Sequence, residues 1–399
     1  MKYIVLVGDG MADYPLEELG GRTPLEAAKT PNMDFLAGAG RLGRVKTIPD
    51  KATPGSDVAN ISILGYDPQK YYTGRGPLEA ANLGVELEGE DVAFRCNLIT
   101  VSGDTMVDYS AGHINSKEAS IIIKFLDEKL GNERINFYPG VSYRHLMLAK
   151  KGGEQKLDKL NCIPPHDITG QSISRNLPKG DSANIIIKLM EDSRQLLEKH
   201  EINLVRVDLK ENPANMIWLW GQGRKPAMPT FLEKYGLSGS VISAVDLLKG
   251  LGRILGLKVI NVKGATGYYD TDYKAKAEAA LKSLENNDFV FVHVEAPDEA
   301  GHNGDLREKL NSIERFDQLV VGVILEAFKH KDDFRILVLP DHPTPIALRT
   351  HSAEAVPFAI FGKGITASGA LNYSEKEAQK SELFLDKGHQ LMEYFIRGI

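Results

Sequence analysis

What most constrains this chain is a set of short apolar runs that end in carboxylate and imidazole side chains. The clearest is Arg335 to His351, RILVLPDHPTPIALRTH. Ile336–Leu339 is a β-type run, Pro340 breaks it, and Asp341, His342 and His351 follow. In an open α/β sheet, ligands bind beyond the carboxyl ends of the strands, so a run ending in Asp-His is aimed at a site. Carboxylate oxygen and imidazole nitrogen suit Zn²⁺ or Mn²⁺, and no Cys lies in the stretch. A turn with a structural histidine would have the same letters, so the rest of the chain has to decide.

The pattern recurs twice. Lys2–Val7, KYIVLV, reads as a buried parallel strand and runs into Gly8-Asp9-Gly10. A carboxylate between glycines can approach a ligand closely, although Asp and Gly are also ordinary turn residues. Phe289–Glu295, FVFVHVE, is a strand leading to Asp298 and His302, four residues apart. On a helical turn these two share one face and can share a metal. The alternative is a capping Asp followed by an exposed His. Thr30-Pro31 reads as an N-cap and first helical residue of a helix to Ala39. Pro54-Gly55 make a turn before a helix over Asp57–Leu64, with Ser56 at its start. Helix N-termini favour anions, so Ser56 is either an ordinary N-cap or a nucleophile whose phosphorylated form is held there. Arg75, between Gly74 and Gly76, is a phosphate clamp or a loop residue.

From Val92 to Asn212 the character changes. Val92–Val101, Ser142–Ala149 and Asn203–Val207 read as strands, and Ser116–Leu130 and Ser182–His200 as helices. The polar landmarks of this α+β block are Asp108 and His113, Arg144 and His145, and His166-Asp167. The acidic stretch Leu87–Asp91 marks its entry. The return, over Asn212–Pro229, contains Trp218 and Trp220. Thereafter helices are expected at Val241–Leu255, Thr271–Glu285 and Leu306–Phe328, and strands at Lys258–Val262, Phe334–Leu339 and Pro357–Phe361. An amphipathic helix over Ser381–Ile399 closes the chain. Repeated βα units mean a parallel sheet with helices on both faces.

A length of 399 residues suffices for two domains. The net charge of -6 supplies no basic face for nucleic acid. Cys96 and Cys162 are far apart in sequence; they could meet in space, but nothing in the sequence points to a disulfide framework or a cysteine zinc site. The first apolar run is too short for a signal peptide or a membrane span, and a cytoplasmic setting is expected.

A parallel sheet would gather Asp9, Ser56, Asp298, His302, Asp341, His342 and His351 at one edge. These are too many ligands for one tetrahedral ion but suit two, and two metals stabilise attacking and leaving oxygens in phosphoryl transfer. In combination, GDG, TPGSDVAN, DEAGH and PDH followed by TH resemble the alkaline phosphatase superfamily. Within it, the chain resembles cofactor-independent phosphoglycerate mutase of the shorter, archaeal type. YTGRGPLEAANLG, PPHDITG and GATGYYDTDY extend the likeness along the whole chain. The resemblance implies an alkaline-phosphatase-like α/β domain, residues 1–85 and 215–399, carrying an inserted substrate-binding α+β domain, residues 86–214. It implies that Asp298, His302 and His351 hold one divalent metal, and that Asp9, Ser56, Asp341 and His342 hold the other. Mn²⁺ or Zn²⁺ fits this donor set best, with Co²⁺ or Mg²⁺ also able to bind. Ser56 would be the nucleophile and Asp167 the general acid/base. His113, Arg144, His166, Asp167 and Arg75 would contact a small phosphorylated hydroxy acid. The arginine-rich clamp of the longer bacterial form has no counterpart; NMIWLWGQG stands there instead. Rival readings are a homoserine kinase, against which stands the lack of a GxxxxGK[ST] loop, a phosphatase, and a non-catalytic metal-binding scaffold.

Overall fold

A computed structural model describes residues 1–398. The chain divides into two compact units, Met1–Tyr72 with Met228–Ile399, and Thr73–Ala227. The expected insert, 86–214, lies within the second unit, which is longer at both ends. Its extra N-terminal part is a helix, Arg75–Leu83. That helix lies so close to the neighbouring strand that a Cβ on Gly76 would be 2.4 Å from the Ala93 carbonyl oxygen.

The first unit is built on an eight-stranded sheet. Lys2–Gly8 is central, parallel to Phe289–Val294 on one side and Phe334–Leu339 on the other. Gly239–Ile242 and then Lys258–Val259 extend the first side in parallel. On the second side Val356–Gly362 and Arg41–Val45 are added antiparallel, and Phe384–Leu385 forms the edge. Both faces are covered. Tyr3 packs edge-on against Phe395, whereas its neighbour Ile4 joins a core with Phe316 and Val320. Successive strand residues point to opposite faces, so one strand serves two layers. The register sets the site: Val7 lies beside both His293 and Leu339. Asp9, Glu295 and Asp341 therefore leave three adjacent strands at the same edge.

The second unit centres on Val92–Ser102, antiparallel to Arg144–Ala149, Met216–Gly223 and Thr105–Asp108, with Ile135–Val141 outside Arg144–Ala149. Phe94 and Cys96 face a core with Ile122, Ile186 and Trp218, whereas Ala93 faces Ala80 and Leu148. Both cysteines are free thiols. Among the described residues, no helix is long and apolar enough to cross a membrane.

Several local expectations change. Asn203–Val207 is helical, within Glu201–Asp208. Its buried side is polar: Asn203 Nδ2 donates to the Leu197 and Ala214 carbonyls, and Arg206 Nε to that of Asn212. Leu204, Val205 and Val207 face outward, which inverts the usual pattern. Val241 and Ile242 are strand, and the helix begins at Asp246. The tail helix is shorter, Leu391–Arg397; Ile399 lies outside the described residues. Leu306–Phe328 runs as a helix with a wide turn at Asp317–Val321. There the Asp317 carboxylate accepts the Asn32 and Met33 N–H groups. Those are free donors of helix Pro31–Ala39, and Thr30 makes no side-chain cap.

Candidate active site

Helix Ala296–Asn303 starts directly after the strand Phe289–Val294, with a proline in its first turn. It places Asp298 and His302 on one face. His302 Nε2 is 3.3 Å from Asp298 Oδ2, His351 Nε2 is 3.5 Å from Asp298 Oδ1, and the two Nε2 atoms are 3.0 Å apart. His302 Nδ1 faces the Arg349 carbonyl oxygen at 3.0 Å. That acceptor fixes the proton on Nδ1 and turns the Nε2 lone pair toward His351 and Asp298. Gly10 makes the approach possible: its φ is +59°, and a Cβ there would be 2.7 Å from Asp298 Oδ1.

His342 Nε2 marks a second convergence. It is 3.5 Å from Asp9 Oδ1, 3.6 Å from Asp341 Oδ2 and 3.2 Å from Ser56 Oγ. A four-coordinate ion with bonds of about 2.0–2.1 Å separates its ligand atoms by roughly 3.3–3.4 Å. These spacings match that value. Asp9 Oδ1 is also buried without a hydrogen-bond partner. A buried, orphaned carboxylate oxygen facing an imidazole nitrogen that also meets a serine hydroxyl fits a divalent cation. Grouped by mutual distance alone, the ligating atoms also fall into Asp298, His342 and His351, and Asp9, His293 and Asp341. His342 thus stands between the two clusters.

Ser56 is the first residue of helix Ser56–Ile63; the N-cap is Gly55, and no side chain caps the helix. The Ser56 hydroxyl is therefore turned to His342 rather than to its own backbone. Asn60, one turn on, donates from Nδ2 to the Ser56 carbonyl and to Asp341 Oδ2, both at 2.8 Å. It ties the serine helix to the strand-end carboxylate. Asp341 Oδ1 accepts the Gly10 and His342 N–H groups.

The electrostatics follow from three buried carboxylates in one place. Burial, with Asp341 and Asp298 nearby, holds Asp9 well above the usual carboxylate range. Burial would raise Asp298 too, but His302 and His351 outweigh it and hold it low. Asp341 is likewise lowered against burial, by His342 and His293. Burial would lower His302, but Asp298 raises it to about 9.

Behind these residues lie groups the motifs did not single out. His293 is fully buried on its strand, with Nε2 3.3 Å from Asp9 Oδ2 and Nδ1 3.2 Å from Glu295 Oε1. Buried Lys276, in the stretch following GATGYY, donates to Glu295 Oε2 at 2.8 Å. Thr344 donates to Asp298 Oδ1. The available signal was FVFVHVE: one polar residue inside a strand otherwise apolar throughout, and another just past its end.

In the second unit the remaining candidates form one continuous cluster. The Arg75 guanidinium lies 5.2 Å from the Trp220 ring centre, and His166 lies edge-on to that ring at 5.5 Å. Tyr109 links His166 to Tyr143, which contacts His113 edge-on at 5.8 Å and carries Arg144 at 5.7 Å. Asp167 Oδ1 is 3.6 Å from His166 Nε2. Trp220 is the hub, fixed by its Nε1–H donating to Asn97 Oδ1 at 3.1 Å. Gly221, at φ +59°, leaves room for the Arg75 stem. Ala111, Gly112 and His113 all have positive φ, an uncommon conformation for two of the three. Arg144 and His145 part company: Arg144 is exposed, whereas His145 is buried, and its Nδ1 accepts the Gly140 N–H. Burial, with Arg95 nearby, pushes His145 down to about 3.

The family model for 2,3-bisphosphoglycerate-independent phosphoglycerate mutase matches residues 37–203. A curated protein of that name from Methanosarcina barkeri is 53% identical over 402 residues, covering 100% of both chains. A solved structure from Pyrococcus horikoshii has a TM-score of 0.85 at 32% identity, covering 99% of this chain and 96% of that one. A cofactor-independent phosphoglycerate mutase from Thermoplasma acidophilum has a TM-score of 0.67 at 28% identity, covering 100% and 99%. With half of its residues shared end to end with curated members, this chain belongs to the 2,3-bisphosphoglycerate-independent phosphoglycerate mutase family.

Proposed function

We propose that this enzyme interconverts 2-phosphoglycerate and 3-phosphoglycerate through a phosphoserine at Ser56, without bisphosphoglycerate or nucleotide. The carrying observation is the Ser56 hydroxyl at a helix start, 3.2 Å from His342 Nε2 and beside converging carboxylates. The family names of the full-length relatives support the same reaction. In this reading Asp298, His302 and His351 hold one divalent cation, and Asp9, Ser56, Asp341 and His342 the other. Mn²⁺ or Zn²⁺ matches this mix of imidazole and carboxylate. Bound there, the cations supply positive charge for the phosphoryl oxygens and ease loss of the serine proton.

Ser56 Oγ, having lost its proton to solvent before the first turnover, forms a bond to phosphorus, and the bond from phosphorus to the glycerate oxygen breaks; the same serine oxygen is released unprotonated at the end of each turnover. The departing oxygen takes a proton, for which Asp167 is the candidate donor. The glycerate then turns, its other hydroxyl returns a proton to the same carboxylate, and that oxygen displaces Ser56 from phosphorus. Protons and bonds balance over the cycle. Arg75, Arg144, His113 and His166 are the candidates for holding the glycerate, since guanidinium and imidazole donors suit carboxylate and phosphate.

The test is a coupled assay with purified 3-phosphoglycerate and enolase, without ATP or bisphosphoglycerate. Enol-phosphate production is expected. Homoserine-dependent ATP consumption in its place would establish the kinase reading, and release of inorganic phosphate from many esters the phosphatase reading.

A further inference from the structure

We propose that His293 is a positioning residue for Asp9, itself held in place by Glu295 and Lys276. This inference rests on Asp9 being a ligand of the cation shared with Ser56 and His342. The three supporting side chains are all but inaccessible: His293 and Lys276 are 0% exposed, and Glu295 is 3% exposed. Burying an ammonium and a carboxylate is costly unless each is paired and hydrogen-bonded. Here the ammonium and the carboxylate are paired with each other. Glu295 Oε1 accepts from Ser243 Oγ at 2.8 Å and from the Ala244 N–H at 3.0 Å, and Oε2 accepts from Lys276 Nζ. Lys276 Nζ also donates to the carbonyl oxygen of His293 at 3.0 Å. One ammonium thus anchors both the strand backbone at His293 and the carboxylate that faces the His293 ring.

A carboxylate that collects donors from all sides is an acceptor only. His293 Nδ1, at 3.2 Å from Glu295 Oε1, therefore presents its N–H to it. That fixes the ring plane and aims Nε2 at the strand ends, 3.3 Å from Asp9 Oδ2 and 3.8 Å from Asp341 Oδ2. The two Asp9 oxygens consequently have different neighbours. Oδ2 faces His293, and Oδ1 faces His342 at 3.5 Å. His293 Nε2 makes no hydrogen bond of its own, so it is the fixed ring set against Oδ2 that limits rotation of the carboxylate and keeps Oδ1 directed at the position shared with Ser56. Outer partners of this kind change metal affinity by about 10–100-fold when removed.

The experiment uses the full chain, stripped of metal by chelator and titrated with Mn²⁺ by calorimetry. Wild type, His293→Gln, Glu295→Gln and Asp9→Asn are compared, with thermal melts as folding controls. The expected result for His293→Gln is one cation bound as in wild type and the other weakened about 10–100-fold. Its turnover should fall at limiting Mn²⁺ and recover at high Mn²⁺. Wild-type affinity for both cations would overturn the proposal, as would equal weakening of both, which marks a merely structural role. A second imidazole, beside His342, on the cation held by Asp9 in the absorption spectrum of the Co²⁺ form would also overturn it, making His293 a ligand. Should His293→Gln not fold, Glu295→Gln is judged by the same criteria. Asp9→Asn separates the two levels. If it still binds both cations at full strength, the ligand assignment itself fails. If it loses one while His293→Gln keeps both, only the positioning role fails.

Discussion

Each unit groups its own candidate functional side chains, and the two do so in opposite ways. In the first, carboxylates and imidazoles are packed at the ends of parallel strands, with Asp341 and His342 0% exposed. In the second, His113, Arg144, His166 and Asp167 are exposed and held mainly by ring contacts. Buried charge is tolerable only with fixed partners, so the first unit makes a rigid set of candidate ligands. Rings and guanidinium groups at a surface cost little to leave in water and can adjust to a flexible organic molecule. The contrast predicts that damage in the first unit abolishes chemistry, whereas damage in the second, the candidate proton donor Asp167 apart, shifts substrate affinity.

Metal removal should show the largest effect. Exhaustive chelation is expected to abolish turnover reversibly and to lower the melting temperature, because a ligand bound only by the folded state stabilises it. Restoration by Mn²⁺ completes the test, and full activity after verified stripping would contradict the two-cation site. Next is Ser56→Ala. The side chain lies at a helix start and is no cap, so the fold should persist. Turnover should fall by at least about 10⁴-fold, in line with removal of other nucleophiles. Intact-mass measurement should find phosphate on the wild type mixed with substrate and none on the variant.

How much of this was legible in the letters also divides by unit. Asp9, Asp298, His302, Asp341 and His342 follow apolar strands within a few residues, so periodicity alone pointed to one sheet edge. His293, Glu295 and Lys276 were hidden because a residue inside a strand or helix looks structural until its neighbours are known. Only the register, with His293 beside Val7, brings it to Asp9. In the second unit the positions of His113 and His166 could be flagged but their hub could not. Trp220 looks like a core residue in WLWGQG, and only the pairing of Arg95 with Trp220 across two strands sets the ring beside Arg95 and Arg75. The helix at Glu201–Asp208 was read as a strand because its apolar residues are outside, stabilised by side-chain hydrogen bonds that leave no periodic trace.

A smaller effect is expected from Arg144→Ala. The side chain is exposed and carries no ion pair among the contacts described above, so the melting temperature should hardly move. KM should rise about 10–100-fold, the value of one charge-assisted contact of roughly 1.5–3 kcal/mol, with kcat much less affected. A loss confined to kcat would place Arg144 in the chemistry and erase the contrast between the units.

The smallest effects are in stability against pH, where the units should move in opposite directions. Glu375 accepts the Asp13 N–H and the Thr23 hydroxyl, and burial pushes its carboxyl up to about 7 from 4.5. A carboxyl whose folded pKa is raised favours the protonated fold. Its contribution is intact below the unfolded value of 4.5 and is lost as pH rises toward 7. His145 in the second unit is the reverse case. Its folded pKa of about 3 favours the neutral ring, so its contribution is intact above 6.5 and is lost as pH falls below that value. Hydrogen exchange between pH 5 and 7 can follow each core separately, on Ile4–Val7 and on Phe94–Leu98. Glu375→Gln should remove part of the alkaline loss in the first core and leave the second unchanged. His145→Asn should remove part of the acid loss in the second core and leave the first unchanged. If either substitution altered the pH slope in both cores equally, the two units would unfold as one, and the division drawn from their packing would not extend to their energetics.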